Sequence, residues 1–160
     1  TGCFRFANTT AHTFRVAAIC AQYGAKVFEL NQQLFETNTL GKLRMQAWMV
    51  EHMQMLGGDT MAICAIPKAV EERLGVSSDD MDNISNFPRS VAGVNIAATL
   101  REAENGVVKL SVRAVPGYDA TRIAVRFGGG GHKGAAGGTL HMTMEEAVKA
   151  VEEVMTELCQ

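Results

Sequence analysis

Apolar positions change their spacing near residue 60, and the change divides the chain into a helical opening and a strand-rich remainder. Phe14, Ala17, Ala18 and Ala21 recur at three- and four-residue steps, which predicts a helix from Ala11 to Tyr23. Asn8-Thr9-Thr10 offers capping oxygens ahead of it, and Gly24 stands where a helix stops. Val27, Leu30, Leu34 and Phe35 predict a second short helix, broken at Thr37-Asn38-Thr39. This pair brings no strand of its own and reads as the tail of a neighbouring domain. Leu40 to Leu56 carries the longest helical pattern: Leu43, Ala47 and Val50 mark one face, and Met45, Trp48, Met49, Met53 and Leu56 widen it. A helix apolar over so much of its circumference needs cover on more than one side, which suits one that bridges two domains. Its methionines fit adaptable core filling better than a promiscuous binding face.

Gly57-Gly58-Asp59 ends this pattern, and Thr60 to Ile66 is an apolar run of strand length. Pro67 suits the first turn of a helix that closes near Gly75. Ser77 to Asn83 is acidic and polar, with no core-forming pattern before Ile84. Val94, Ile96, Ala98 and Leu100 then alternate with Asn95, Ala97, Thr99 and Arg101. Glu104-Asn105-Gly106 supplies a hairpin signal, and Val108, Leu110, Val112 and Ala114 return with Lys109, Ser111 and Arg113 on the opposite side. The expectation is a half-buried hairpin with one polar face, ended by Pro116-Gly117. Asp119 opens a short helix to Phe127, and Gly137 to Met142 reads as a last strand. Thr143 and Glu146 form a capping box for a closing helix that turns Met144, Ala147, Val148, Val151, Val154, Met155 and Leu158 inward. The fold class is therefore α/β (α+β): a mixed β-sheet with a central antiparallel hairpin flanked by helices, preceded by a helical segment of a neighbouring domain.

Composition narrows the function classes. A net charge of −2 over 160 residues supplies no global attraction to nucleic acid or anionic membrane, so any phosphate binding has to be local. Cys3, Cys20, Cys64 and Cys159 are scattered, without a Cys-x-x-Cys pair, which argues against a zinc module and a secreted disulfide scaffold. Reduced thiols in a cytoplasmic protein are the expectation. No apolar run approaches the roughly 20 residues of a membrane span, and no signal segment opens the chain.

Candidate chemistry gathers at Gly128-Gly129-Gly130-Gly131-His132-Lys133 and the Gly134-Ala135-Ala136-Gly137-Gly138 run behind it. A glycine turn between regular elements, bearing backbone N–H groups and two nitrogenous side chains, suits an anion cradle. The alternative is a tight turn in which His132 bonds a nearby carbonyl and Lys133 is solvated, with Gly137 and Gly138 serving close packing. Arg113, two residues from Ser111 on the polar strand face, suits a bidentate phosphate clamp or base stacking, or is an ordinary exposed strand residue. Arg89 and Arg101 are weaker versions of the same idea. His12, His52 and His141 stand alone, and Asp59, Asp79, Asp80, Asp82 and Asp119 form no paired-carboxylate site. No nucleophile–base constellation assembles. The residues show a binding site without a visible catalytic engine.

Gly-Gly-Gly-His-x-x-Ala-Ala-Gly, here Gly129 to Gly137, resembles the signature of the DHHA1 domain of the DHH phosphoesterase superfamily. Arg89-Ser90-Val91-Ala92-Gly93-Val94 and Leu110-Ser111-Val112-Arg113 resemble that family's Arg-Ser-Ile-x-Gly-Val and Val-Ser-Leu-Arg strands. Thr1-Gly2-Cys3-Phe4 with Thr9-Thr10 is similar to the end of a DHH domain, whose Asp-Thr-Gly-x-Phe aspartate would precede Thr1. The resemblance implies the C-terminal helical end of a DHH domain over 1–38, a linker helix over 39–57 and a substrate-binding DHHA1 domain over 58–160. It implies a parent enzyme of the oligoribonuclease and phosphoadenosine-phosphate phosphatase branch, acting on short oligonucleotides or small nucleotide phosphates. Two manganese ions would sit in the DHH domain, and this chain alone would hydrolyse nothing. By the same analogy Gly128, Gly129, Gly130, Gly131, His132 and Lys133 would contact a terminal phosphate, and Arg113 with Ser111 another phosphate or a base. The implied partners are short single-stranded nucleic acid or a nucleotide phosphate, the chain's own DHH domain and a second copy in a homodimer, with no membrane. DHHA1-like domains also end alanyl-tRNA synthetases, so a tRNA-binding module is the competing expectation. His132 within the glycine motif speaks for the phosphoesterase side.

Overall fold

The computed structural model describes residues 2–6, 8–103 and 106–158. The chain forms two compact units, Thr1–Thr39 and Leu40–Gln160.

The first unit holds α1 (Ala11–Gln22) and α2 (Val27–Asn31), the latter widening into a π-helical turn over Gln32–Glu36. Thr10 and Thr13 cap α1 reciprocally, each backbone N–H donating to the other's hydroxyl. Phe4 stacks on Phe14 with ring centroids 4.9 Å apart, and the Arg5 guanidinium lies 5.6 Å from the Phe35 ring centre. None of the described residues of this unit is buried.

The second unit is built on a six-stranded sheet in the order β1-β2-β3-β4-β6-β5. Its strands are β1 (Gln54–Leu56), β2 (Met61–Ile66), β3 (Ile96–Glu102), β4 (Val108–Ala114), β5 (Gly130–His132) and β6 (Ala135–Leu140). Only β2 and β3 run parallel; every other neighbouring pair is antiparallel. The predicted hairpin is β3–β4, at the centre of the sheet. Of its turn, Glu104 and Asn105 lie outside the described residues, and Gly106 has φ of 71°. The parallel step from β2 to β3 passes through α4 (Lys68–Leu74), which starts after Pro67 and ends on Gly75 in the left-handed conformation, as the sequence predicts.

One face of the sheet carries the expected core. Ile96, Ala98, Leu100, Val108, Leu110 and Val112 pack against α5 (Thr121–Ala124) and α6 (Met144–Leu158), which contribute Ile123, Ala147, Val151 and Met155. Each fully buried valine or methionine there contributes roughly 1.5–3 kcal/mol of transfer free energy. The capping box forms as predicted: Glu146 N–H donates to the Thr143 hydroxyl, and Thr143 N–H donates to the Glu146 carboxylate at 2.9 Å.

The other face corrects three expectations. The helix predicted from Leu40 to Leu56, and with it a linker helix over 39–57, ends early: α3 spans Leu40–His52, and Gln54–Leu56 forms the edge strand β1 against β2. At 13 residues α3 is also shorter than α6, with 15. Its buried side is Met45 and Met49, while Leu43 and Val50 are exposed. The polar segment Ser77 to Asn83 is not all surface. Met81 and Ile84, in short 3-10 turns, join Met45, Met49, Cys64 and Ile66 in a second core cluster. Asp80 is buried there, its carboxylate accepting from Ser77 N–H at 2.8 Å and Ser77 Oγ at 2.9 Å. The hairpin's second face is therefore covered over β3, where Ala97 and Thr99 are buried, and becomes polar only at β4.

Candidate phosphate-binding face

Directly paired residues on adjacent strands point to the same side of a sheet. The register therefore sets His132 of β5 beside Ala135 of β6, Arg113 of β4 and Ala97 of β3. The next row along the strands is Gly130, Gly137, Ser111 and Thr99. Arg113, Ser111 and His132 thus share one face, separated by positions that carry a methyl group or nothing. These are the side chains the sequence singled out, and the sheet brings them together.

The glycine segment itself differs from the expected turn. Gly130–His132 is a strand, and the reversal to β6 falls at Lys133-Gly134. Gly128 ends the α5 region with φ of 70°. The N–H groups of Gly128 and Gly129 donate to the Val125 and Ala124 carbonyls at 3.1 and 2.9 Å, so these two amides are occupied within the fold. A Cβ on Gly129 would collide with the Gly137 carbonyl, whereas a Cβ on Gly130 would meet nothing within 4 Å. Gly129 is thus a packing glycine, and Gly130 is where a missing side chain leaves the face open. Gly137 is held against the Leu110 carbonyl and Gly138 against Gly129, the close packing expected of them.

Arg113 is part-buried and fixed. Its Nε donates to Asn86 Oδ1 at 2.8 Å and its Nη1 to the Val112 carbonyl at 3.1 Å. Burial, and then the neighbouring Arg89 charge, pull its pKa below the usual arginine value. Among the described residues neither arginine has a carboxylate partner. A guanidinium held beside another cation and without a counter-ion of its own is a group that an anion would relieve. Arg89, a weaker candidate in the sequence, thus has its charge near Arg113. Asn86 was missed altogether. It lies 27 residues from Arg113, in a segment whose pattern carries no signal, and only the fold joins the two.

The remaining candidates fall elsewhere. Arg101 is committed to Glu71 through a two-point ion pair, with Nη2 2.8 Å from Oε2. Lys133 is exposed and lies near Asp119, whose carboxyl is held below its usual range by the Thr121 hydroxyl first and by Lys133 to a lesser degree. His52 stacks on Trp48 and bonds its carbonyl at 2.8 Å. Among the described residues no three His, Cys, Asp or Glu side chains come together to hold a metal ion, so the manganese implied by the resemblance has no fitting donor set here. No helix among them is long and apolar enough to cross a membrane.

Arg113, Ser111 and His132 thus lie on one face of a mixed sheet beside a glycine-rich edge strand. Residues 58–157 match the DHHA1 domain, and the chain belongs to that family. It is 35% identical over 158 residues to the bifunctional oligoribonuclease and PAP phosphatase NrnA of Thermus thermophilus, covering 98% of this chain and 47% of that protein. The protein of the same name from Bacillus subtilis is 26% identical, with 100% of this chain and 49% of the relative covered. The chain thus spans about half the length of the curated relatives it matches. Among solved structures, an exopolyphosphatase-related protein from Bacteroides fragilis superposes with a TM-score of 0.87 at 24% identity, over 96% of this chain and 45% of that one. A pGpG-specific phosphodiesterase, PggH, from Vibrio cholerae gives 0.56 at 12% identity, over 96% and 51%. The mixed fold and the family expected from the glycine and strand motifs are both borne out.

Proposed function

We propose that this chain is the substrate-binding portion of a cytoplasmic phosphoesterase that hydrolyses short oligonucleotides or small nucleotide phosphates. The observation that carries the reading is Arg113, without a carboxylate partner among the described residues and set on the same sheet face as Gly130 and His132. Asn86 holds Arg113 in one orientation, so little rotamer entropy is lost when a phosphate oxygen arrives. The bare Gly130 position lets the phosphate approach the sheet, and His132 closes the outer side with a ring nitrogen. In this proposal a DHH domain supplies two manganese ions and the attacking water. The residues of this chain bind and orient the phosphoester, and the chain by itself is inactive. The NrnA relatives support the substrate class by name.

Calorimetric titration with a 5′-phosphorylated dinucleotide at fixed low salt tests the site. Arg113→Gln and His132→Ala are each expected to weaken binding by about tenfold, the equivalent of ~1.4 kcal/mol. Undiminished binding in both variants would remove this face from the site. Steep loss of affinity with salt and a preference for long folded RNA would instead favour a tRNA-binding module.

A further inference from the structure

Two positions along β4 from Arg113, at Ser111, begins a cavity of about 370 Å³ whose lining also includes Thr99, Lys109, Arg101, Met81 and Ile84. We infer that this cavity receives a nucleobase, and that here, rather than at the arginines, the chain distinguishes a nucleotide from a bare phosphoester. The inference rests on the reading of the neighbouring face as a phosphate site, and it adds what lies next to the phosphate.

Several polar groups around the cavity already have partners within the fold. Arg101 is paired with Glu71, the Glu102 carboxylate accepts from Lys68 N–H at 3.0 Å, and Lys109 Nζ donates to Thr139 Oγ1 at 2.8 Å. A neutral polar ligand leaves all three contacts intact. Thr99 gives that ligand a partner. It is 3% exposed, its Oγ1 makes no hydrogen bond, and its side chain shares the sheet face and row of Ser111. Turning this hydroxyl between staggered rotamers to meet a ligand sacrifices no existing bond. As donor and acceptor in one group, it accepts either kind of base edge.

Shape supports the same occupant. Met81 and Ile84, each 5% exposed, give the cavity an apolar side for the flat surface of a ring, while Ser111 adds a polar group to the lining. Ser111 precedes Arg113 by two positions on β4, about 7 Å along the strand. A ribose between phosphate and base bridges such a step.

The test uses the full chain and three probes: adenosine, adenosine 5′-monophosphate and ribose 5-phosphate. Adenosine alone, at millimolar concentration, is expected to shift the NMR signals of Thr99, Ser111 and Ile84. Adenosine 5′-monophosphate should bind about tenfold more tightly than ribose 5-phosphate. Thr99→Val should bring that ratio towards one without changing the binding of ribose 5-phosphate, while Arg113→Gln should weaken both phosphates alike. Adenosine shifts confined to other parts of the chain, or absent, overturn the base pocket even if ribose 5-phosphate binds at the arginines. Adenosine shifts at the three named residues without any binding of ribose 5-phosphate would uphold the pocket and remove the phosphate reading.

Discussion

Gly129 and Gly130 are neighbours in a run of four identical residues, yet they do opposite things. At Gly129 the backbone comes so close to Gly137 that a methyl group does not fit, while Gly130 faces open space. Gly129→Ala is therefore expected to destabilise the fold by about 1–3 kcal/mol, the usual cost of overpacking. Gly130→Ala should leave the melting temperature unchanged or slightly raised, because its φ is not in the left-handed region and alanine restricts the unfolded chain. It should nevertheless weaken dinucleotide binding, since the new methyl stands on the floor between Ser111 and His132. Thermal melts and titration of the two variants separate the roles, and equal melting behaviour would show that the backbone contact at Gly129 is not limiting. The sequence could not make this distinction. Four consecutive glycines look alike until the strand pairing decides which meets a carbonyl.

Elements bounded by local chemistry were legible in advance. Thr143 and Glu146 announce the start of α6, Pro67 and Gly75 bracket α4, and strict alternation marks the β3–β4 hairpin. Thr143→Ala should cost about 1 kcal/mol, as loss of a helix cap does. Glu146 is held below its ordinary value of 4.5, first by the Thr143 backbone N–H and then by its hydroxyl. A carboxylate with a depressed folded pKa stabilises fully above its unfolded value, and that contribution is lost as pH falls through the folded one. The wild-type advantage over Thr143→Ala should accordingly be constant near neutrality and shrink below pH 4.5. A difference independent of pH would mean that the box is not what Thr143 contributes. Elements fixed by distant partners were not legible. Gln54–Leu56 continues a methionine-rich helical pattern but is claimed by the β2 edge. Ser77 to Asn83 looks polar because its buried aspartate finds Ser77 within the same segment. Gly130–His132 has no strand propensity and is a strand only because β6 folds back on it.

Across the molecule, the second core cluster leaves a measurable mark on Cys64. Burial between α3 and the sheet pushes this thiol up from 9.0 to about 12. Because the folded state holds the proton more tightly, the associated stability is complete below pH 9 and declines as pH rises towards 12. Brief alkylation at pH 8 with peptide mapping should label the exposed Cys20 and spare Cys64 until denaturant is added. Native labelling of Cys64 would mean that α3 does not stay packed on β2. The broad architecture followed from the sequence because each hydrophobic alternation presents one strongly apolar side. The cover on the second face did not, since Met45, Met49, Met81 and Ile84 come from segments that share no common period.

Both outermost strands of the sheet, β1 and β5, are only three residues long. An open sheet margin invites a strand from another molecule, and polymerisation of this kind is blunted when the margin offers too few rungs to grip. The glycine-rich margin thus stays exposed while denying foothold to an aggregating neighbour. Lengthening it would trade away that protection.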